Sequence, residues 1–145
     1  MKNVVISINS DFSYGPGEDD RMEFSTDGLY LFESNVGCMS YYESPVTGME
    51  GTRTSICAAP DRVVIDREGS VSSQMVFQQG EKTSFIYNTP YGSATMGIDT
   101  RRIRQNLDES GGELIIDYAV SLEHKVLTRN RFYITVREMG ENSHG

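Results

Sequence analysis

Arg67 is the charged side chain whose place in the sequence most strongly suggests chemistry. It follows Val63 and Ile65 at a spacing of two, so a strand through these residues turns all three side chains to one face. Glu43 is the candidate partner, because arginine is rarely fully buried alone. In the functional interpretation, an inward-facing Arg67 anchors a ligand carboxylate or phosphate. The alternative is that it ends its strand and reaches water before Gly69.

Tyrosines form the second group of candidate site residues. A tyrosine ring supplies a large apolar body with one polar handle, which suits the wall of a ligand cavity. The alternative is that the rings fill the interior and cap its ends through their hydroxyls. Five of them fall on predicted strands or strand ends: Tyr41, Tyr42, Tyr87, Tyr91 and Tyr118. The candidate ligand-binding residues are Arg67, Glu43, Tyr41, Tyr87, Tyr91 and Tyr118.

The sequence has no motif that assigns a metal, a cofactor or a reaction. His124 and His144 are its only histidines, and Cys38 and Cys57 lack a ligand spacing. The glycine-rich stretch at 48–51 has no lysine and follows no helical pattern, so it is not a phosphate-binding loop. We expect no metal, no cofactor and no catalytic residue. An enzyme would need a carboxylate and a tyrosine or arginine converging within hydrogen-bond reach.

The elements that must position these residues are β-strands. Apolar and polar residues alternate with period two along most of the chain, and glycine turns separate the segments. No stretch keeps a helical period, so we expect no helix longer than about three turns. Short strands in hairpin order predict an all-β fold, a single antiparallel up-and-down β-barrel of about 8–10 strands.

The same alternation assigns side chains to the inside of the barrel. Each lies on the apolar parity of its strand, and a slip of one residue would turn that whole set to solvent. The residues predicted to face one common interior are Met75, Phe77, Phe85, Tyr87, Met96, Ile98, Leu114, Ile116 and Tyr118.

Turn signals divide the chain into these strands. Asp11–Asp20 is predicted as a long loop with an acidic tip, and Asp27-Gly28 as a two-residue hairpin turn. Ser44–Gly51 is the second conspicuous loop. With 145 residues, the chain is predicted to form one barrel domain over residues 1–139, followed by a disordered tail at 140–145.

The charge distribution limits the partners. The net charge is −8, with 6 basic and 14 acidic residues before position 101 and 7 of each after it. An acidic surface repels phosphate backbones, so nucleic acid is not expected as a partner. A basic patch in the last third is one interpretation, and a solvated face of mixed charge is the other. The arginines concerned are Arg101, Arg102, Arg104, Arg129 and Arg131.

The ends and cysteines suggest a compartment. Met1 to Ile8 is too short for a secretion signal, and no apolar run approaches the roughly 20 residues that span a bilayer. We therefore expect a cytoplasmic protein without a membrane partner. In that compartment Cys38 and Cys57 are expected to be free, buried thiols.

Several short motifs in fixed order resemble one bacterial family. They are Gly28-Leu29-Tyr30, Ser40–Ser44, Gly48–Thr54, Arg67-Glu68-Gly69, Met75-Val76-Phe77, Tyr87–Gly92 and Gly111–Leu114. Together they resemble the YwiB-like family, a family of unknown function, over about residues 24–136. The resemblance implies a barrel similar to the lipocalins and other calycins, with added strands. It implies no catalytic residues.

Three functions remain open from the sequence. The first is a non-enzymatic barrel that holds a small, partly apolar ligand. The second is a scaffold whose loops at Asp11–Asp20 and Ser44–Gly51 meet a protein partner or a second copy of the chain. The third is an enzyme that uses Tyr, Glu and Arg side chains in the cavity. A hollow interior would favour the first, and a filled interior with an exposed apolar rim the second.

Overall fold

The alternating segments of the chain form ten strands in a computed structural model that describes residues 1–15 and 17–139. The tail predicted at 140–145 lies outside the described residues. A single-turn 3₁₀ helix occupies Pro45–Thr47. The strands are β1 (Lys2–Ser13), β2 (Asp19–Glu33), β3 (Val36–Tyr42), β4 (Arg53–Ala58), β5 (Arg62–Glu68), β6 (Ser73–Gln78), β7 (Lys82–Thr89), β8 (Gly92–Gln105), β9 (Gly111–Leu122) and β10 (Lys125–Glu138).

All ten strands belong to one antiparallel sheet. The order across the sheet is β6-β5-β4-β3-β2-β1-β10-β9-β8-β7, so strands adjacent in the chain are adjacent in space. β1 pairs with both β2 and β10, from Val4 opposite Glu138 to Ser13 opposite Arg129. The prediction of an antiparallel up-and-down barrel is therefore confirmed.

The barrel is nearly closed, and its seam lies between β6 and β7. An isolated bridge joins these strands at the start of β6, where Ser72 and Asn88 exchange two backbone hydrogen bonds of 3.0 Å. The Thr83 hydroxyl also donates to the Val76 carbonyl at 2.6 Å. The sheet order nevertheless ends at β6 and β7, because no continuous ladder joins them in the described part of the chain. The seam is consequently the place where the wall can admit solvent.

Apolar side chains on the predicted parity form one core inside the barrel. Six of the nine residues assigned to a common interior are buried in one cluster, and Tyr87, Met96 and Tyr118 pack against that cluster while partly exposed. Full burial of a large apolar side chain is worth about 1.5–3 kcal/mol. The end of the barrel near the termini is plugged by Tyr30, whose hydroxyl donates to the Asp108 carbonyl at 2.7 Å.

Two predicted turns are wrong, because the strands run through them. Asp11, Phe12 and Ser13 belong to β1 and Asp19 and Asp20 to β2, so only positions 14–18 of the sequence lie between the two strands. Charged residues suit a strand whose outer face meets water, so the acidic composition did not mark a loop.

The other wrong turn is Asp27-Gly28, which lies inside β2. Gly28 is needed there for space: a Cβ atom would lie 2.5 Å from Ile6 Cδ1 and 2.5 Å from the Ser40 carbonyl oxygen. A glycine inside a strand often marks such a close approach.

The predicted free, buried thiols are also wrong. Cys38 on β3 lies directly opposite Cys57 on β4, with the Cα atoms 4.0 Å apart, and the two form a disulfide. Both side chains point to the outer face, because Met39 and Ile56 occupy the buried parity. Nineteen residues separate the cysteines, and only the strand register brings them together.

The described residues contain no helix that is long and apolar enough to cross a membrane.

Candidate functional site

A row of four side chains crosses the inner wall of the barrel from β3 to β6. In the strand register Tyr41 lies opposite Thr54, Thr54 opposite Arg67, and Arg67 opposite Ser73. Side chains directly opposite each other have Cβ atoms about 4.5–5.5 Å apart, so neighbours in the row can interact. Glu43 joins the row from the residue after β3, where its N–H donates to the Thr52 carbonyl at 2.8 Å.

Arg67 and Glu43 form a buried ion pair without a direct hydrogen bond. The side chain of Glu43 is 1% exposed and that of Arg67 is 14% exposed, so Arg67 faces inward as its parity predicts. Arg67 Nε lies 3.9 Å from Glu43 Oε2, beyond hydrogen-bond distance. The Thr54 hydroxyl donates to the same Glu43 Oε2, while Glu43 Oε1 has no hydrogen-bond partner among the described residues.

The Arg67 guanidinium has no oxygen acceptor in the part of the chain that the structure describes. Its Nη1 donates to Met75 Sδ at 3.6 Å, and its Nε has no hydrogen bond. A thioether is a weak acceptor, whereas a guanidinium carries five donors. Three further buried oxygens in the described residues also lack partners: Ser73 Oγ, Thr100 Oγ1 and Asn130 Oδ1. Thr100 and Asn130 lie on β8 and β10, whereas Ser73 lies next to Arg67. Buried polar groups are normally hydrogen-bonded, so Arg67 Nε, Glu43 Oε1 and Ser73 Oγ give the Arg67 wall spare capacity for a bound molecule.

A cleft at the seam gives access to Arg67. It has a volume of about 610 Å³ and is lined by side chains of β5, β6, β7 and β8. Arg67, Ser73 and Phe85 come from the buried parity, whereas Gln74 and Ile86 come from the outer face. Because residues of both faces line it, the cleft lies where the wall between β6 and β7 is open. We call it the seam cleft.

Burial changes the acidity of two tyrosines near Arg67. Burial is the main reason that the pKa of Tyr41 is raised, and the negative charge of Glu43 adds to it while Arg67 opposes it. Burial also raises the pKa of Tyr118 to about 12, against the opposing charge of Arg67. The Tyr118 ring packs on Phe77 at a centroid distance of 4.9 Å. Both phenols are neutral hydrogen-bonding groups near pH 7.

Not all candidate residues meet in this site. The structure brings together Arg67, Glu43, Tyr41 and Tyr118, and Tyr87 packs against the core. Tyr91 does not join them, because it occupies the turn between β7 and β8 and is 98% exposed. Proline at position 90 ends the β7 ladder there, and the turn carries Tyr91 outside the wall.

Thr54 and Ser73 were missing from the predicted site. Thr54 shares the buried parity of Ile56, and Ser73 that of Met75 and Phe77. A small polar residue on an apolar parity was therefore a usable signal. This signal alone does not assign the two residues to the site, because only the strand register shows that both lie next to Arg67.

The Arg67 site has the hydrogen-bonding groups to bind a small ligand. Arg67 Nε and Glu43 Oε2, at 3.9 Å, are beyond the hydrogen-bond reach that proton transfer between these two groups would need. Residues 1–15 and 17–139 contain no group of three or more His, Cys, Asp or Glu residues that could hold a metal ion. An acceptor group of a ligand can take hydrogen bonds from the guanidinium, and Glu43 Oε1 can accept one.

Comparison with known proteins agrees with this fold. The chain is 29% identical over 102 residues to the "Uncharacterized beta-barrel protein YwiB" of Bacillus subtilis (strain 168), covering 70% of each protein. The crystal structure of the ywiB protein from Bacillus subtilis superposes with a TM-score of 0.84 at 23% identity, covering 95% of this chain and 92% of that one. At that identity the likeness shows the fold. The resemblance to the YwiB-like family is confirmed.

A family model described as "Domain of unknown function (DUF1934)" matches residues 6–134, which include β2 to β9 completely and most of β1 and β10. The match also includes every residue of the Arg67 row. The chain therefore belongs to the DUF1934 family.

Proposed function

We propose that this protein binds a small, partly apolar ligand inside the barrel, with the polar end of the ligand at Arg67. The observation that carries the proposal is the Arg67 side chain, which is 14% exposed and whose guanidinium has a thioether as its hydrogen-bond acceptor. Leaving buried donors without an acceptor costs free energy. A ligand that supplies an acceptor removes that cost, and the seam cleft is its route to Arg67.

The polar neighbours describe the end of the ligand. Glu43 already balances the charge of Arg67, so the ligand need not carry a full negative charge. The ligand must present an acceptor to Arg67, and a donor on it would satisfy Glu43 Oε1. The Ser73 hydroxyl can serve as either donor or acceptor. An amide, or a carboxylic acid bound in its protonated form, meets these requirements.

The apolar neighbours describe the body of the ligand. Phe85 lines the seam cleft, and Phe77 and Tyr118 pack edge-on at 4.9 Å in the interior. Aromatic walls with a few convergent polar groups are typical of small-molecule sites, which have volumes of about 300–1,000 Å³. The volume of the seam cleft, about 610 Å³, falls in this range.

Native mass spectrometry of the protein purified from its own host tests the proposal. We expect a mass excess of a small molecule that is lost on denaturation. The Arg67→Met variant with Glu43→Gln removes both charges together, so that neither is left buried alone, and this variant should lose the excess mass. The matched control is Arg62→Met with Glu33→Gln, which changes exposed residues that do not line the seam cleft. The control should keep the excess mass.

Two outcomes contradict the proposal. One is wild-type protein whose mass equals that of the chain alone. The other is a ligand that the Arg67→Met, Glu43→Gln variant retains as well as the control does.

A second candidate function, a protein-interaction scaffold, is favoured by the exposed apolar residues around the Ser44–Gly51 loop. Tyr42 is 72% exposed and Val46 is 63% exposed. The other loop in that hypothesis is shorter than predicted, because only 14–18 lies between β1 and β2. Tyr42→Ser with Val46→Ser should abolish a partner complex in pull-downs from the host while ligand retention is unchanged. If the complex survives both substitutions, this surface is not the contact.

A further inference from the structure

The long strands carry a second cleft, which is lined mainly by residues of the outer parity and also by Phe12, Tyr118 and Asn130 of the inner parity. It has a volume of about 880 Å³ and spans β2, β1, β10, β9 and β8. Its floor includes Ala119, which is 6% exposed although it lies on the outer parity. Five arginines line this outer arginine cleft: Arg21, Arg101, Arg102, Arg129 and Arg131.

Strand register explains which of these arginines are neutralised. One row across five strands reads Arg21, Asp11, Arg131, Asp117 and Arg102. Arg21 Nε donates to Asp11 at 2.9 Å. Arg131 makes two hydrogen bonds to Asp117, of 2.8 and 3.2 Å, which engage both carboxylate oxygens. These two ion pairs use the carboxylates of the row.

The other three arginines have no ion pair with any described residue. Arg102 is the last member of the row, and its neighbour Asp117 is bound to Arg131. Arg129 lies between Ser13 and Ala119, neither of which is charged. Arg101 is the extra residue of a bulge in β8 and lies opposite no residue of β9. Bulges commonly redirect a side chain in this way.

The position of the three arginines suggests what they bind. β8 and β10 are two strands apart, about 10 Å at the usual strand spacing, with Ala119 on the strand between them. The acidic residues Asp19 and Asp20 line the cleft from β2, on the far side from β8. Positive charge is therefore concentrated at the β8–β10 side, where the carboxylate between these strands, Asp117, is already bound to Arg131.

From this arrangement we infer that the outer arginine cleft binds a small molecule with two or more linked phosphate groups, held by Arg101, Arg102 and Arg129. The planar guanidinium matches phosphate oxygens in pairs, which suits arginine better than lysine to this role. Because the three arginines come from two strands about 10 Å apart, they can engage different phosphate groups of one ligand. The net charge of −8 opposes a long polyanion such as nucleic acid, and a compact ligand meets only the local field.

Isothermal titration calorimetry with tripolyphosphate at low ionic strength tests the inference. We expect saturable binding by the wild-type protein and weaker binding of inorganic phosphate. Arg102→Gln with Arg129→Gln should weaken tripolyphosphate binding about tenfold or more, because each lost charge-assisted contact is substantial. Both arginines are exposed or partly exposed, so the variant should keep its fold, which circular dichroism checks.

The matched control is Arg62→Gln with Arg137→Gln, which removes the same charge from exposed positions outside the cleft. It should change the affinity less than twofold. Equal losses in the two double variants would overturn the inference, because they would show a response to net charge alone. Absence of binding, or equal affinity for phosphate and tripolyphosphate, would overturn it as well.

The Arg67→Met, Glu43→Gln variant separates this site from the proposed interior function. It should bind tripolyphosphate as the wild type does, because neither residue lines the outer arginine cleft. Loss of tripolyphosphate binding in that variant would place the phosphate site elsewhere.

Discussion

The protein pairs an arginine with a carboxylate both inside and outside the barrel, and the two pairs differ in kind. Arg131 and Asp117 approach to 2.8 Å on the outer face, where their side chains are 57% and 24% exposed. Arg67 and Glu43 stay 3.9 Å apart inside, with side chains 14% and 1% exposed. The outer pair, Arg131 and Asp117, therefore has the shorter contact, and it is also the pair that water screens.

The difference teaches that contact distance alone does not rank ion pairs. An exposed pair gains about 0–1 kcal/mol, because water and salt weaken the attraction. Inside, both charges have lost their hydration, so each depends on the other whatever their exact distance. The outer pair leaves its groups satisfied, whereas the inner pair leaves donors of Arg67 and an oxygen of Glu43 available. That is why the ligand proposal rests on the inner pair.

The largest effect should come from breaking the inner pair alone. Arg67→Met leaves the Glu43 charge buried with the Thr54 hydroxyl as its remaining partner, which should cost about 3–5 kcal/mol. Urea denaturation measures the free energy of unfolding. Adding Glu43→Gln should recover most of the loss. If the second substitution restores nothing, Arg67 stabilises the barrel by some means other than Glu43.

The disulfide should give the next largest effect, although it lies on the exposed face. Cys38→Ala with Cys57→Ala opens a link between residues 19 apart and should lower the unfolding free energy by about 2–4 kcal/mol. The same urea experiment on wild-type protein, with and without a reductant, gives an independent value. A wild-type stability that is insensitive to reductant would contradict this prediction.

The pKa values of Tyr118, inside the barrel, and Tyr133, on the outer face, are both raised, but for different physical reasons. The pKa of Tyr118 is raised from 10.0 to about 12, chiefly by burial, so the folded protein keeps a proton that the unfolded chain releases. This contribution is complete below pH 10 and is lost as the pH rises from about 10 to 12. Tyr118→Phe should remove about 2 kcal/mol of that decline in stability, measured by denaturation across this pH range.

Tyr133, on the outer face, has a raised pKa for another reason. Its hydroxyl donates to Glu113 at 2.7 Å, and that hydrogen bond is the main cause. Glu113→Gln should lower the pKa of Tyr133 towards the usual tyrosine value of 10.0, measured by phenolate absorbance, and should leave the pKa of Tyr118 unchanged. A change in the titration of Tyr118 would mean that the two faces are coupled.

The smallest effect should come from the outer ion pair. A double-mutant cycle with Arg131→Gln and Asp117→Asn should give a coupling energy below about 1 kcal/mol, and added salt should reduce it. A coupling as large as that of Arg67 and Glu43 would remove the distinction between the two faces.

Side-chain parity was predictable from the sequence, and strand register was not. The alternation placed Phe77, Ile116 and Arg67 on the inner face, since a period of two needs only the local sequence. The disulfide depends on which residue of β4 lies opposite Cys38, and no local pattern contains that information. The proximity of Thr54 and Ser73 to Arg67 was missed for the same reason.

Local composition gave a wrong prediction where turn-forming residues lie inside a strand. Asp27-Gly28 has the sequence of a hairpin turn, but Gly28 serves the close packing of Ile6 and β3. The arginines at 101, 102, 129 and 131 could be recognised as a cluster of basic residues. Their division into paired and unpaired members required the bulge in β8 and the position of Asp117.

The pairing of β1 with β10 has a consequence for synthesis of the protein. The ribosome makes β1 first and β10 last, yet the two strands hydrogen-bond along ten residue pairs. Throughout elongation β1 therefore has one bare edge, and its partner is still to be made. The barrel can close only after β10 has been made, and any chain terminated before residue 125 carries an open strand edge capable of joining another nascent chain.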